Sequence, residues 1–135
     1  MRETTYTEPM TLPSSQTSVA ASSRPDFEGY LVKQSTWLRE WRKRYFALHG
    51  HKLFYSKGPD EPPHGFVDLK ECLTVRSADD VTGKRHSFEI ATPRETLYLY
   101  ADSEVRKDEW IGAIGRAIVR YSSAYTGEDG LIEND

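Results

Sequence analysis

Residues 29–55 read GYLVKQSTWLREWRKRYFALHGHKLFY, and the rest of the chain is laid out around them. Apolar and polar side chains alternate through three short runs, Phe27–Gln34, 41–48 and Lys52–Ser56. A polar-aromatic turn and His49-Gly50-His51 separate them. A period of two marks half-buried strands. Side chains two apart on a strand share a face, so Phe46 and Leu48 lie with Arg44 and Arg42, Leu31 with Lys33, and Leu53 with Tyr55. Each of three successive strands therefore carries an apolar residue and a cationic or phenolic one on the same side. Sealing Lys33, Arg42 and Arg44 into an apolar interior would cost several kcal/mol per ion. A sheet that curls around a core and stays open at one end escapes that cost. The first and second strands meet at the turn between them, and the end of the third can approach it. The expectation is a small cationic pocket with the Tyr55 hydroxyl on its wall, suited to a multiply phosphorylated ligand.

Downstream, KGPDEPPH at 57–64 is a loop by its Pro and Gly content. A short fourth strand is expected at 65–69 and a fifth at 72–77, with Leu73 and Val75 inward. After a turn region at 78–85 come Ser87–Ala91, with Phe88 and Ile90 on one side, and 96–101, with Leu97 and Leu99 opposite Tyr98 and Tyr100. Seven short strands with regular turns predict a barrel or sandwich, mainly β. At 103–121 the period becomes 3.6. Trp110, Ala113, Ile114, Ala117, Ile118 and Tyr121 fall on one helical face, and Arg106, Lys107, Asp108, Arg116 and Arg120 mostly on the other. Asp102 or Ser103 is a suitable N-cap. This helix is expected to plug the barrel opening opposite the cationic mouth.

The chain has 135 residues and a formal net charge of −3, which fits one domain at 26–121 and gives no overall grip on nucleic acid. Residues 1–25, rich in Ser, Thr and Pro, are expected to form a disordered tail, and 122–135 a flexible acidic one. The single cysteine, Cys72, forms no intrachain disulfide and suits a reducing cytoplasm. No secretory leader, lipidation signal or run of about 20 apolar residues is evident, so any membrane contact is expected to be peripheral. The apolar pair Trp37-Leu38 in the first turn, with Arg39 and Lys43 close by, is the candidate membrane-contacting group. His49 and His51 straddle a turn without metal-ligand spacing, and no nucleophile elbow or Gly-rich phosphate loop occurs. No enzyme, metal or cofactor is expected.

Glu28-Gly29-Tyr30-Leu31-Val32-Lys33, Trp41-Arg42-Lys43-Arg44-Tyr45-Phe46-Ala47-Leu48 and Leu53-Phe54-Tyr55, followed by a helix bearing Trp110, together resemble a pleckstrin homology (PH) domain over about 26–121. The resemblance implies two nearly orthogonal antiparallel sheets capped by one C-terminal helix. It is closer still to the subset that binds 3-phosphoinositides, whose pattern Lys33, Arg42, Arg44 and Tyr55 match position by position. By that likeness Lys33 and Arg44 hold the 3-phosphate region, with Arg42 and Tyr55 on neighbouring phosphates. Two positions depart from the strongest binders. Glu40 places a carboxylate in the first loop, and His64 stands where a permanent cation is common; protonated, it would still contribute. The resemblance implies a monomeric module recruited from the cytoplasm to phosphoinositide headgroups on anionic membranes. The alternative is a PH-fold adaptor for a protein partner, with weak or no specific lipid binding.

Overall fold

The computed structural model describes residues 24–121; all but two residues of the expected N-terminal tail, and the whole C-terminal one, lie outside them. Seven strands follow in chain order: β1 Phe27–Gln34, β2 Trp41–His49, β3 Lys52–Ser56, β4 Gly65–Asp68, β5 Thr74–Ser77, β6 Ser87–Ala91 and β7 Thr96–Tyr100. A 3-10 turn, Leu69–Glu71, precedes β5; a one-turn helix α1, Asp79–Thr82, follows it; and helix α2, Glu104–Tyr121, ends the fold. The mainly β architecture with a C-terminal helix is the one the alternation predicts. The strands form one antiparallel sheet in the order β4-β3-β2-β1-β7-β6-β5. Backbone pairing joins its two halves, one of β1 to β4 and the other of β5 to β7, where Val32 faces Tyr100 and Lys33 faces Leu99.

The inward parity of each strand supplies the core. Leu31, Phe46, Leu48, Leu53, Phe88, Ile90, Leu97 and Leu99 pack with Trp110, Ala113, Ile114, Ala117 and Ile118 of α2. Fully burying one such side chain stabilises the fold by about 1.5–3 kcal/mol. Trp110 has no exposed surface and stands edge-on to Phe27 and Phe46, with ring centroids 4.6 and 6.4 Å away. Helix α2 lies against β5, β6 and the 3-10 turn. It starts at Ser103, whose Oγ accepts from the Arg106 amide at 3.1 Å and satisfies one of the orphan donors of the first turn.

Three expectations are corrected. Leu73 is half exposed, whereas Cys72 is fully buried. The 3-10 turn, with Asp68 accepting from the Lys70 amide at its start and the Cys72 amide closing onto Leu69 O, turns Cys72 inward, and β5 begins only at Thr74. Burial pushes the Cys72 thiol up to about 11. The segment 78–85 holds helix α1, which stops at Gly83 in a left-handed conformation, φ 73°. Lys107, expected on the polar face of the helix, is buried. Its ammonium donates to Ser77 Oγ at 2.7 Å and Asp79 Oδ1 at 2.9 Å, with Glu104 Oε2 at 3.4 Å. Burial pulls the Lys107 pKa down, but the hydrogen bond from Lys107 to Asp79 and the charges of Asp79 and Glu104 carry it above its usual value.

Candidate functional site

Strand pairing builds the site. Register sets Leu31 opposite Arg44 and Lys33 opposite Arg42; Phe46 faces Tyr55, and Tyr55 faces Gly65. Along the inward face of β2, burial fades from Leu48 and Phe46 in the core to a half-buried Arg44 and an exposed Arg42. The same face is therefore core at one end of the strand and wet at the other, which is where cations are tolerated. Lys33, Arg42, Arg44, Tyr55 and His64 line one open cavity of about 340 Å³. Ser35, Thr36, Trp37 and Leu38 of the β1–β2 loop complete its wall. All five residues singled out as headgroup ligands from the sequence are thus brought together.

Tyr55 is the hub of the wall. The Lys33 ammonium lies 5.2 Å from the centre of its ring, and the His64 imidazole stands edge-on at 5.2 Å. The His64 amide donates to Tyr55 O at 3.0 Å, closing the β3–β4 loop. A Cβ on Gly65 would overlap the Tyr55 ring, so Gly65 leaves the space in which the ring lies. Nothing in the local sequence marks this role; it follows from the Tyr55–Gly65 register. Burial followed by the Glu95 charge raises the Tyr55 hydroxyl. Burial lowers Lys33, with Glu95 opposing and Arg44 adding to the shift. His64 is lowered by burial and then by Arg44, Lys57 and Lys33. Three cations acting on one imidazole describe a site of positive potential.

The β1–β2 loop is closed by Ser35. Its amide donates to Glu40 O at 2.7 Å, and its Oγ accepts from the Glu40 amide at 3.1 Å. Arg39 takes a left-handed φ of 56° in this turn. Trp37 and Leu38 are held at the tip, 92% and 65% exposed. The other two candidate membrane contacts face elsewhere. Arg39 lines a second cavity of about 420 Å³, which shares Lys33, Ser35 and Thr36 with the first. Lys43 has the outward parity of β2, with its ammonium 4.7 Å from the centre of the Tyr30 ring.

One carboxylate reaches a cation of the pocket, and the Lys33 ammonium donates instead to Gln34 O at 3.4 Å. Glu40 pairs with Arg42 at 2.5 Å. Glu95, on the β6–β7 turn, lines the second cavity together with Lys33 and acts electrostatically on both Lys33 and Tyr55. Arg44 has no carboxylate partner among the described residues; it donates to Lys43 O at 2.8 Å. Glu95 escapes sequence reasoning because 62 positions separate it from Lys33 and only the pairing of β1 with β7 brings it close. The remaining histidines have structural partners: His49 packs on Phe54, His51 pairs with Asp68 at 2.9 Å, and His86 with Glu104 at 3.0 Å. No group of three metal-ligating side chains occurs among the described residues, nor is any described helix long and apolar enough to cross a membrane. Such a site offers charge and hydrogen-bond donors to a polyanion.

A profile of the PH domain family matches residues 25–119. The chain belongs to the PH domain family. It is 36% identical over 115 residues to Pleckstrin homology domain-containing protein 1 of Arabidopsis thaliana, covering 81% of this chain and 79% of that protein. Diacylglycerol kinase eta of Drosophila mojavensis is 37% identical over 91 residues, 67% of this chain but 5% of the kinase. Among solved structures, the C-terminal PH domain of pleckstrin in complex with D-myo-Ins(1,2,3,5,6)P5 superposes with a TM-score of 0.63 at 31% identity, covering 72% of this chain and 98% of that one. The same domain in complex with D-myo-Ins(1,2,3,4,5)P5 gives 0.59 at 31% identity, covering 69% and 97%.

Proposed function

We propose that this PH domain binds phosphoinositide headgroups, of the 3-phosphorylated class its sequence resembles, and so recruits the chain from the cytoplasm to anionic membranes. The observation that carries this reading is the meeting of Lys33, Arg42, Arg44, Tyr55 and His64 around one open cavity. The exposed Trp37-Leu38 tip on its rim supports it, since an apolar pair beside a cationic pocket suits shallow insertion at a lipid interface. The inositol pentakisphosphates carried by the similar pleckstrin domain support a polyphosphorylated ligand. In this reading Lys33 and Arg44 hold the first phosphate, Arg42 and Tyr55 reach a neighbouring one, and His64 closes over the ligand. The module works by binding, without chemistry.

The test is Arg44→Ala in a vesicle-binding assay. Each charge-assisted contact contributes about 1.5–3 kcal/mol, so losing Arg44 is expected to weaken binding to phosphoinositide vesicles by roughly 10- to 100-fold. Thermal unfolding should stay near wild type, because Arg44 contributes nothing to the apolar core. Unchanged vesicle binding would remove the pocket from consideration.

A second reading, docking of a protein partner, is favoured by one observation on the outer sheet. Phe66, 51% exposed on the edge strand β4, lies 5.7 Å from its register partner, the half-buried Phe54 of β3. An exposed aromatic ring on an edge strand is a surface another chain can cover.

A further inference from the structure

We propose that the groove between α2 and the start of β1 is a docking site for the chain's own acidic segment at 122–135, with the guanidiniums of Arg116 and Arg120 as its charge partners. This groove lies at the far end of the sheet from the cationic mouth: Phe27 pairs with Leu48 here and Lys33 with Arg42 there, about 20 Å of strand apart. Its occupancy is therefore independent of the headgroup reading.

The groove encloses about 920 Å³ and is walled by Phe27, Leu48, Ile111 and Tyr121, with Arg116 and Arg120 on its α2 side. Both arginines are exposed, and at four residues' separation they are neighbours on the helix surface, so each adds to the other's positive potential. Neither has a carboxylate partner among the described residues. The one aspartate that shares the groove, Asp26, is engaged elsewhere, accepting from the Gly50 amide at 2.8 Å. A Cβ on Gly112 would stand 3.2 Å from Arg116 Nη1, so the glycine lets that guanidinium lie back along the helix. The Arg120 guanidinium lies 6.0 Å from the centre of the Tyr121 ring. Apolar walls flanked by two unpaired cations suit an occupant that brings large apolar side chains together with carboxylates.

Residues 122–135, SSAYTGEDGLIEND, have that composition. They hold Glu128, Asp129, Glu133 and Asp135 without any Lys or Arg, and Tyr125, Leu131 and Ile132 supply the apolar side chains. They also begin where they are needed. Tyr121, the residue before them, is part of the groove wall, and its ring stands 5.7 Å from that of His51 beside the β2–β3 turn. From Tyr121 back to Ile111 the helix rises about 15 Å, a span that about five residues of extended chain cover. Gly127 and Gly130 admit the reversals such a path requires. A tether this short holds the segment at an effective concentration of about millimolar, so even a weak contact is populated. Residues 1–23, which lead to Asp26 at the same groove, carry only Arg2, Glu3 and Glu8 as charged side chains and lack that complementarity.

The experiment places a nitroxide on Asn134→Cys in the full chain, where Cys72 is fully buried and takes no label, and reads backbone amide signals by NMR. The peaks of Gly112, Gly115 and Arg116 are expected to lose roughly half their height or more, and to recover at about 1 M salt, where the screening length is about 3 Å. Arg116→Glu with Arg120→Glu should abolish the effect, and adding Glu128→Arg and Asp129→Arg should restore it, because the swap returns opposite charges to the two sides. Should the reversed variant fail to fold, the salt series on the unreversed chain decides. No broadening in the groove, broadening that survives high salt or charge reversal, or broadening at Lys33 and Arg44 instead, overturns the proposal. So does a groove broadened only by a nitroxide on Ser18→Cys, which gives it to the N-terminal segment. Broadening that is equal when the labelled and the isotope-enriched chains are different molecules gives the groove to a second copy and overturns it too. No lipid enters the measurement, so failure of the headgroup reading would leave each of these outcomes as it stands.

Discussion

His64 carries the pH dependence of the site. Burial and the cations Arg44, Lys57 and Lys33 hold its pKa below the usual 6.5, so the free pocket keeps it neutral near neutral pH. A bound polyanion reverses the local field and favours the imidazolium. Binding then takes up a proton, and affinity must rise as pH falls. Phosphoinositide-vesicle affinity measured between about pH 7.5 and 5.5 is expected to increase by several-fold, and His64→Gln should flatten that slope while leaving the high-pH affinity nearly unchanged. At this scale the sequence was legible for Lys33, Arg42, Arg44 and Tyr55, because strand parity alone puts them beside core residues. Gly65 and Glu95 were not, since each matters only through a partner strand.

Between elements, the ion pair of Lys107 with Asp79 ties α2 to α1 and to the end of β5. The Lys107 side chain is 4% exposed and that of Asp79 40%, so the pair is wet on one side and its removal costs less than a sealed one would. Lys107→Met is expected to destabilise by about 1–2 kcal/mol, a fall of roughly 5–15 °C in thermal midpoint. The hydrogen bond from Lys107, reinforced by the amides of His86 and Ser87, holds Asp79 at about 2 against an ordinary 3.8. Because that pKa is depressed by folding, the contribution is fully present above pH 3.8 and is lost as pH falls through 2. Acid unfolding of Asp79→Asn beside wild type checks this: the difference between them should close over that interval. Helical periodicity placed Lys107 on the polar face because its partners lie 28 and 30 positions away. The seven strands and the Trp110 helix were readable because their signals are local alternation and period. The 3-10 turn before β5 was not, as it shifts the chain by hydrogen bonds that leave no pattern.

Across the whole molecule, the order β4-β3-β2-β1-β7-β6-β5 leaves β4 and β5 at the sheet edges and puts β1 in the middle. Backbone pairing joins the halves at two residue pairs, and Lys33 belongs to one of them. An occupant gripping Lys33 would hold that hinge line from the β1 side. Backbone amide exchange in saturating soluble inositol polyphosphate is therefore expected to slow at Val32, Lys33, Leu99 and Tyr100, well away from any direct contact for the last two, and to stay unchanged in Arg44→Ala. A recognition event at one rim would then be felt as stiffness along the centre line of the protein, which makes ligand occupancy and mechanical cohesion two readings of a single lysine.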